Sequence, residues 1–297
     1  MARWGGWVQF GFLSILKIKM ANRIESKFNQ LKGNGEKALI AYIMAGDPSL
    51  HDTETLVLEL ERAGADIIEL GVPFSDPIAD GPVIQKAAER ALRSGTSLRR
   101  ILDTVASLRS RTQIPLVLMA YYNTIHAFGE DVFCRQAAAA GVDGLIVPDM
   151  PPEEDTLLAT AGCEGGPLLI YLLAPTSTPA RFTRIAGKSK GFIYYVSLTG
   201  ITGSKLSDLA GIEQNVARIR QATDVPVAVG FGIATPQDIS QVIALADGVI
   251  VGTAIVRQVE QHRDNPQMPS HVAQFVKSLK DATQPSLPAA SPSHAVR

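Results

Sequence analysis

Two carboxylates carry the chemistry this sequence offers. Glu69 lies inside an apolar stretch, AGADIIELGVP, and Asp80 closes the segment that follows, just ahead of Gly81-Pro82. A carboxylate in such a stretch must face the mouth of the fold or be buried. Burial raises its pKa, which suits a group that gives and takes one proton near neutrality. The plainer reading of Glu69 is a partner for a donor on a neighbouring strand. The plainer reading of Asp80 is a helix entry, where aspartate is common. Tyr121, Tyr122, Tyr194 and Tyr195 stand in or just after other apolar runs and either serve the same site or simply pack. Asp47 and Asp149, beside Pro48 and Pro151, are explained as turn residues.

A second constellation suits an anion. Gly230-Phe231-Gly232 ends one apolar run, and Gly252-Thr253 ends the next. Glycines let backbone N–H groups approach a ligand closely, and Thr253 opens a helix whose N-terminus favours negative charge. No lysine or arginine lies between Asp224 and Val256. An anion here is therefore expected to be held by N–H groups and the helix dipole.

Absences narrow the reaction. No lysine lies within the apolar runs or at their C-terminal ends, which argues against a Schiff base. No His/Asp/Glu trio gathers there, and His126 sits in an expected loop without a partner, so no metal site is expected. No serine or cysteine stands in an elbow-like turn. Acid/base work by carboxylates is left, helped by tyrosine hydroxyls.

These residues need a scaffold. Apolar runs at 38–43, 66–71, 115–120, 144–148, 168–173, 192–197, 226–230 and 248–252 alternate with helical stretches. The runs are nearly continuous rather than alternating, as for strands buried on both faces. Ser49 and Asp52 form a capping box, Leu56, Leu60 and Ala63 make an apolar stripe, and Gly64 ends that helix. Pro82 opens another. The pattern predicts an α/β single domain, a (β/α)8 TIM barrel, with an open doubly wound sheet as the rival. A barrel carries its chemistry at the C-terminal strand ends, where both constellations fall.

The chain has 297 residues, 46% of them hydrophobic, with 28 basic and 29 acidic residues. That balance offers no reason to expect nucleic acid or a membrane as partner. Cys134 and Cys163 stand in unrelated contexts and suit a reducing, cytoplasmic setting. Residues 1–19 contain no acid, and their apolar run is shorter than the roughly 20 residues that span a bilayer. They read as an unmatched extension, with the barrel over 20–281 and a disordered Pro/Ser/Ala-rich tail over 282–297.

The segment ELGVPFSDPIADGP (69–82), with AGDP (45–48), VSLTGITG (196–203) and GFGI (230–233), closely resembles the tryptophan synthase alpha chain family. The likeness is collinear over about 35–265. It implies a (β/α)8 barrel and the cleavage of indole-3-glycerol phosphate to indole and glyceraldehyde 3-phosphate. It implies Glu69 as the acid/base and Asp80 as acceptor for the indole N–H. Tyr194 matches an active-site tyrosine, Tyr121 lines the indole pocket, and Tyr42 falls where the family places an aromatic. Thr202 matches a threonine on a mobile loop. Gly203, Gly232, Gly252 and Thr253 match the phosphate cradle, with Gly230 and Phe231 as further substrate contacts. Thr253 stands where serine is common, and Lys205 where an arginine is often close by.

The resemblance also implies partners. The family works as an αββα heterotetramer with pyridoxal phosphate on the beta chain, so no cofactor is expected on this chain. The loops holding Asp47-Pro48 and Asp76-Pro77 are expected at that interface. A stand-alone lyase releasing free indole without a beta chain is the alternative. A silent phosphate-binding paralogue conflicts with the presence of Glu69, Asp80 and Thr202. Other phosphate-binding barrels lack the 69–82 segment.

Overall fold

The computed structural model describes residues 22–154, 158, 166–197, 209–230 and 232–284. The expected extension 1–19 lies outside them, as do Thr202, Gly203, Phe231 and the tail from 285.

The strands are β1 (Ala38–Met44), β2 (Ile67–Gly71), β3 (Leu116–Met119), β4 (Gly144–Ile146), β5 (Leu168–Ile170), β6 (Leu172–Leu173), β7 (Ile193–Val196), β8 (Val227–Gly230) and β9 (Gly248–Val251). The helices are α1 (Arg23–Asn34), α2 (Leu50–Arg62), α3 (Pro82–Arg93), α4 (Leu98–Leu108), α5 (Tyr122–Phe128) and α6 (Glu130–Ala140). They continue with α7 (Pro179–Lys188), α8 (Leu209–Ala222), α9 (Pro236–Val242), α10 (Thr253–His262) and α11 (Met268–Asp281).

Every strand pairing is parallel, in the order β5-β4-β3-β2-β1-β9-β8-β7-β6. The two ends of that order are consecutive in sequence and separated only by Tyr171. The first half of this segment pairs with β4 and the second with β7. The Tyr194 N–H donates to the Tyr171 carbonyl at 3.1 Å across the joint. β5 and β6 are thus one strand position, and the sheet closes into the expected (β/α)8 barrel rather than an open sheet.

Side chains alternate between two layers. Leu39, Ala41 and Ile43 of β1 pack outward under the helices, while Ala38 and Ile40 point inward. Each strand is buried on both faces, so its sequence lacks a polar period. α1 closes the lower end: Ile24, Phe28 and Leu31 join Ile40, Ile67 and Val117 in the inner layer, with Phe28 and Phe192 rings 5.8 Å apart. One end is plugged, and the end left for a ligand carries the C-termini of the strands.

The lower rim is fastened by a recurring device. Asp66, Asp143 and Asp247 each stand one residue before a strand and accept the N–H of a neighbouring strand's residue. The bonds are Leu39 N to Asp66 at 2.8 Å, Leu116 N to Asp143 at 2.9 Å, and Val227 N to Asp247 at 2.9 Å. Lys280, Arg109 and Arg220 neutralise the three carboxylates at 2.7, 2.7 and 3.0 Å. Such charge-assisted bonds satisfy strand N–H groups that begin the ladder.

Helix ends follow the sequence signals. Ser49 accepts the Asp52 N–H at 3.1 Å, although the Asp52 carboxylate takes the Ser49 hydroxyl at 2.5 Å rather than its N–H. α2 is followed by Gly64 at φ +100°, and Pro82 occupies the first turn of α3. His126 lies on α5 rather than in a loop. Cys134, buried on α6, is disulfide-bonded, which corrects the reading of the cysteines as unpaired residues that suit a reducing setting. Thr283, just past α11, is buried. Among the described residues no helix is long and apolar enough to cross a membrane.

Candidate active site

The C-terminal strand ends surround a cavity. Glu69, central in β2, and Asp80, at the end of the loop after β2, both line it. Glu69 is 1% exposed, and among the described residues its Oε2 has no hydrogen-bond partner. Burial, reinforced by the nearby Asp80, pushes its pKa up to about 8. A buried carboxyl without a donor costs stability, so such a group marks a site rather than a scaffold contact.

Asp80 is pushed up to about 6 by burial, against a hydrogen bond from Tyr121 that pulls it down. Tyr121 in turn accepts the Ala79 N–H at 2.9 Å and stacks on Phe74, with centroids 5.2 Å apart. It is not among the residues lining the cavity; it holds the loop that delivers Asp80. Tyr122 instead donates to Glu130 at 2.6 Å, and Tyr195 packs in the outer layer.

Tyr42, paired with Glu69 across β1 and β2, and Tyr194 on β7 both line the cavity, and one device seats both. Each tyrosine stands two residues before the strand position paired with a glycine: Met44 pairs with Gly71, and Val196 with Gly230. A Cβ on Gly71 would lie 2.1 Å from the Tyr42 hydroxyl, and one on Gly230 would lie 2.5 Å from that of Tyr194. Gly230 is therefore a seat for Tyr194 and is not itself among the lining residues.

The other side of the cavity is polar backbone. Gly232 has φ +76°, and Gly252 is the N-cap of α10. α10 has no side-chain cap and no acid in its first turn. Ser49, Ser97, Thr178 and Thr235 cap their helices, while α3, α5, α6 and α11 share with α10 the lack of a side-chain cap. The N–H groups of the first turn of α10, from Thr253 onward, thus remain for an anion.

Arg90 ties this end of the molecule together. Its guanidinium grips the buried Asp47 with two bonds of 2.8 Å and Glu260 on α10 with one of 2.9 Å. That fixes α3, which begins beside Asp80, against α10. Asp47 is accordingly tied to the scaffold, whereas Asp76 is exposed. Asp149 accepts the Tyr122 N–H at 2.8 Å, as a turn residue does. Among the described residues no group of three or more His, Cys, Asp or Glu is placed to hold a metal.

Sequence reasoning missed several wall residues. Ile84, Met119 and Ile250 supply apolar lining, and Arg257 stands beside Thr253 and Ala254. Arg257 adds a cation to the cavity lining. It lies just past the 224–256 window, but one helical turn after Thr253, on the same face. That spacing was the available signal.

Comparison with known proteins places the chain among relatives. A family model described as "Tryptophan synthase alpha chain" matches residues 28–284. The alpha chain of Citrifermentans bemidjiense is 49% identical over 259 residues, covering 87% of this chain and 97% of that one. That of Geobacter sulfurreducens is 49% identical over 261 residues, covering 88% and 98%. The crystal structure of the alpha subunit from Legionella pneumophila superposes with a TM-score of 0.81 at 36% identity, over 88% of this chain and 98% of that one. A Mycobacterium tuberculosis tryptophan synthase structure gives 0.82 at 35% identity, over 89% and 99%. The chain belongs to the tryptophan synthase alpha chain family.

Proposed function

We propose that Glu69 and Asp80 cleave indole-3-glycerol phosphate to indole and glyceraldehyde 3-phosphate, the alpha reaction of tryptophan biosynthesis. The observation that carries the assignment of roles is the buried Glu69 carboxyl, its Oε2 without a hydrogen-bond partner among the described residues, in a cavity that also holds Asp80 and an uncapped helix N-terminus. With its pKa at about 8, Glu69 holds a proton at neutral pH. It gives that proton to C3 of the indole ring. The bond from C3 to the hydroxyl-bearing side-chain carbon then breaks, and its electrons return to the ring. The hydroxyl becomes the aldehyde, and its proton goes to the Glu69 carboxylate, so the count balances. Asp80, ionised above about pH 6, accepts the indole N–H and stabilises the ring while it carries positive charge.

Tyr194 and Tyr121 are read as shaping the site, the first at the substrate and the second through Asp80. Gly230 belongs to it as the seat of Tyr194. Gly232, Gly252 and Thr253 are read as the phosphate cradle. Thr202, Gly203 and Phe231 join this assignment on the family resemblance alone. The fuller reading adds a beta chain in an αββα heterotetramer, pyridoxal phosphate on that partner, a cytoplasmic setting, and the barrel over 20–281 as the catalytic unit.

Indole release from indole-3-glycerol phosphate, measured with and without a beta chain, tests the reading. Turnover that rises strongly with the partner is expected. Equal turnover without it favours the stand-alone lyase. No indole under either condition overturns both.

A further inference from the structure

The polar side of the cavity contains one charge that the reaction does not use. Arg257 sits on α10 one turn after Thr253 and lines the same cavity as Gly232, Gly252 and Thr253. Helical side chains lean toward the helix N-terminus, so an arginine in this position reaches back over the first turn. Other arginines of the upper and lower rims are engaged: Arg90 by Asp47 and Glu260, Arg109 by Asp143. Arg257 makes no ion pair or side-chain hydrogen bond among the described residues, and it is exposed at the cavity rim. An unpaired cation beside an uncapped helix N-terminus suits a doubly charged anion. The first-turn N–H groups supply directional bonds, and the guanidinium supplies the compensating charge. Buried Glu69 in the same cavity, its Oε2 without a hydrogen-bond partner among the described residues, independently marks this space for a ligand.

We propose that Arg257 is a specificity-determining residue that selects the phosphate dianion over neutral or singly charged substrates. The inference rests on the phosphate cradle proposed above. Arg257 acts on binding and not on the bond that breaks, so its loss is read in KM. The guanidinium contacts the phosphate in the ground state and in the transition state alike. Its charge is also screened by salt, which gives a second signature.

The test uses the full chain with a beta partner, in wild-type form and as Arg257→Gln and Arg257→Lys. Glycerol 3-phosphate serves as a competing phosphate monoester. In Arg257→Gln, KM and the inhibition constant of glycerol 3-phosphate are expected to rise about tenfold, with kcat within about twofold. Added salt is expected to weaken wild-type binding more than binding to the Gln variant. Arg257→Lys is expected to recover most of the loss, since it keeps the charge. Unchanged KM and inhibition constant in Arg257→Gln overturn the proposal.

Gly252→Asp separates this outcome from a failure of the cradle itself. A Cβ at Gly252 makes only ordinary 3.5 Å contact with Tyr42, so the variant fits and places a carboxylate at the anion position. Loss of glycerol 3-phosphate inhibition in Gly252→Asp but not in Arg257→Gln sinks the arginine and leaves the cradle standing. No effect of Gly252→Asp sinks both.

Discussion

At the scale of the residue, Glu69 sets function against stability. Its carboxyl is moved from an ordinary 4.5 to about 8 by burial. Between those values the folded chain holds a proton that the unfolded chain has released. Stability attributable to this group is therefore intact below about pH 4.5, falls as pH rises, and is lost fully above about 8. Glu69→Gln removes the ionisation while keeping the shape. The variant is expected to lose cleavage activity by a factor of about 10² or more, as for loss of a general acid. It is also expected to melt higher than wild type at pH 8, with the difference vanishing toward pH 4.5. Wild-type cleavage should decline as pH rises through about 8, because the donor proton is then lost. Thermal melts and pH–rate profiles of the two proteins check all three. Near-normal turnover in Glu69→Gln removes Glu69 from its role. A pH-independent stability difference removes the ionisation argument alone.

At the scale of the element, the barrel seats its tyrosines by omission. A Cβ on Gly230 would lie 2.5 Å from the Tyr194 hydroxyl and 2.7 Å from its ring atoms, so the ring must move if alanine stands there. Gly230→Ala is expected to cost about 1–3 kcal/mol, as overpacking does. Combined with Tyr194→Ala, which empties the space, it should cost less than the sum of the two single changes. Denaturant unfolding of the four proteins gives the coupling, and strict additivity refutes the seating argument. This device also marks where sequence legibility ended. The strands were readable because runs buried on both faces are continuously apolar. That same continuity hides which face of β1 or β7 looks into the barrel, so Tyr42 and Tyr194 could not be told from their neighbours by pattern. Glu69 was legible because a charge inside an apolar run is costly. Asp80 was marked by Pro82, which fixes where α3 starts. Arg257 was legible only through the helical period, one turn past Thr253, and not from the loop ahead of α10. The break at Tyr171 left no trace, since all of 168–173 is apolar or aromatic.

At the scale of the whole molecule, stability and chemistry occupy opposite ends of one barrel. The lower end holds the aspartate clamps and the α1 plug, and the upper end holds Glu69, Asp80 and the open helix N-terminus. The division explains how a protein with net charge −1 can be suited to a phosphate substrate. Among the described residues, the favourable groups at the mouth are a helix end and Arg257. It also gives a prediction that only the separation of the two ends makes. Phe28 is 5% exposed, packs on Phe192 and sits within the inner layer beneath the site. Phe28→Ala should lower stability by about 3–5 kcal/mol through the cavity it leaves. Because the plug touches neither carboxylate, KM and kcat of the folded fraction should change by less than about twofold. Urea unfolding paired with kinetics well below the transition measures both. A large loss of kcat in a fully folded Phe28→Ala would mean that the floor of the barrel positions Glu69, and the two ends would then have to be treated as one coupled unit.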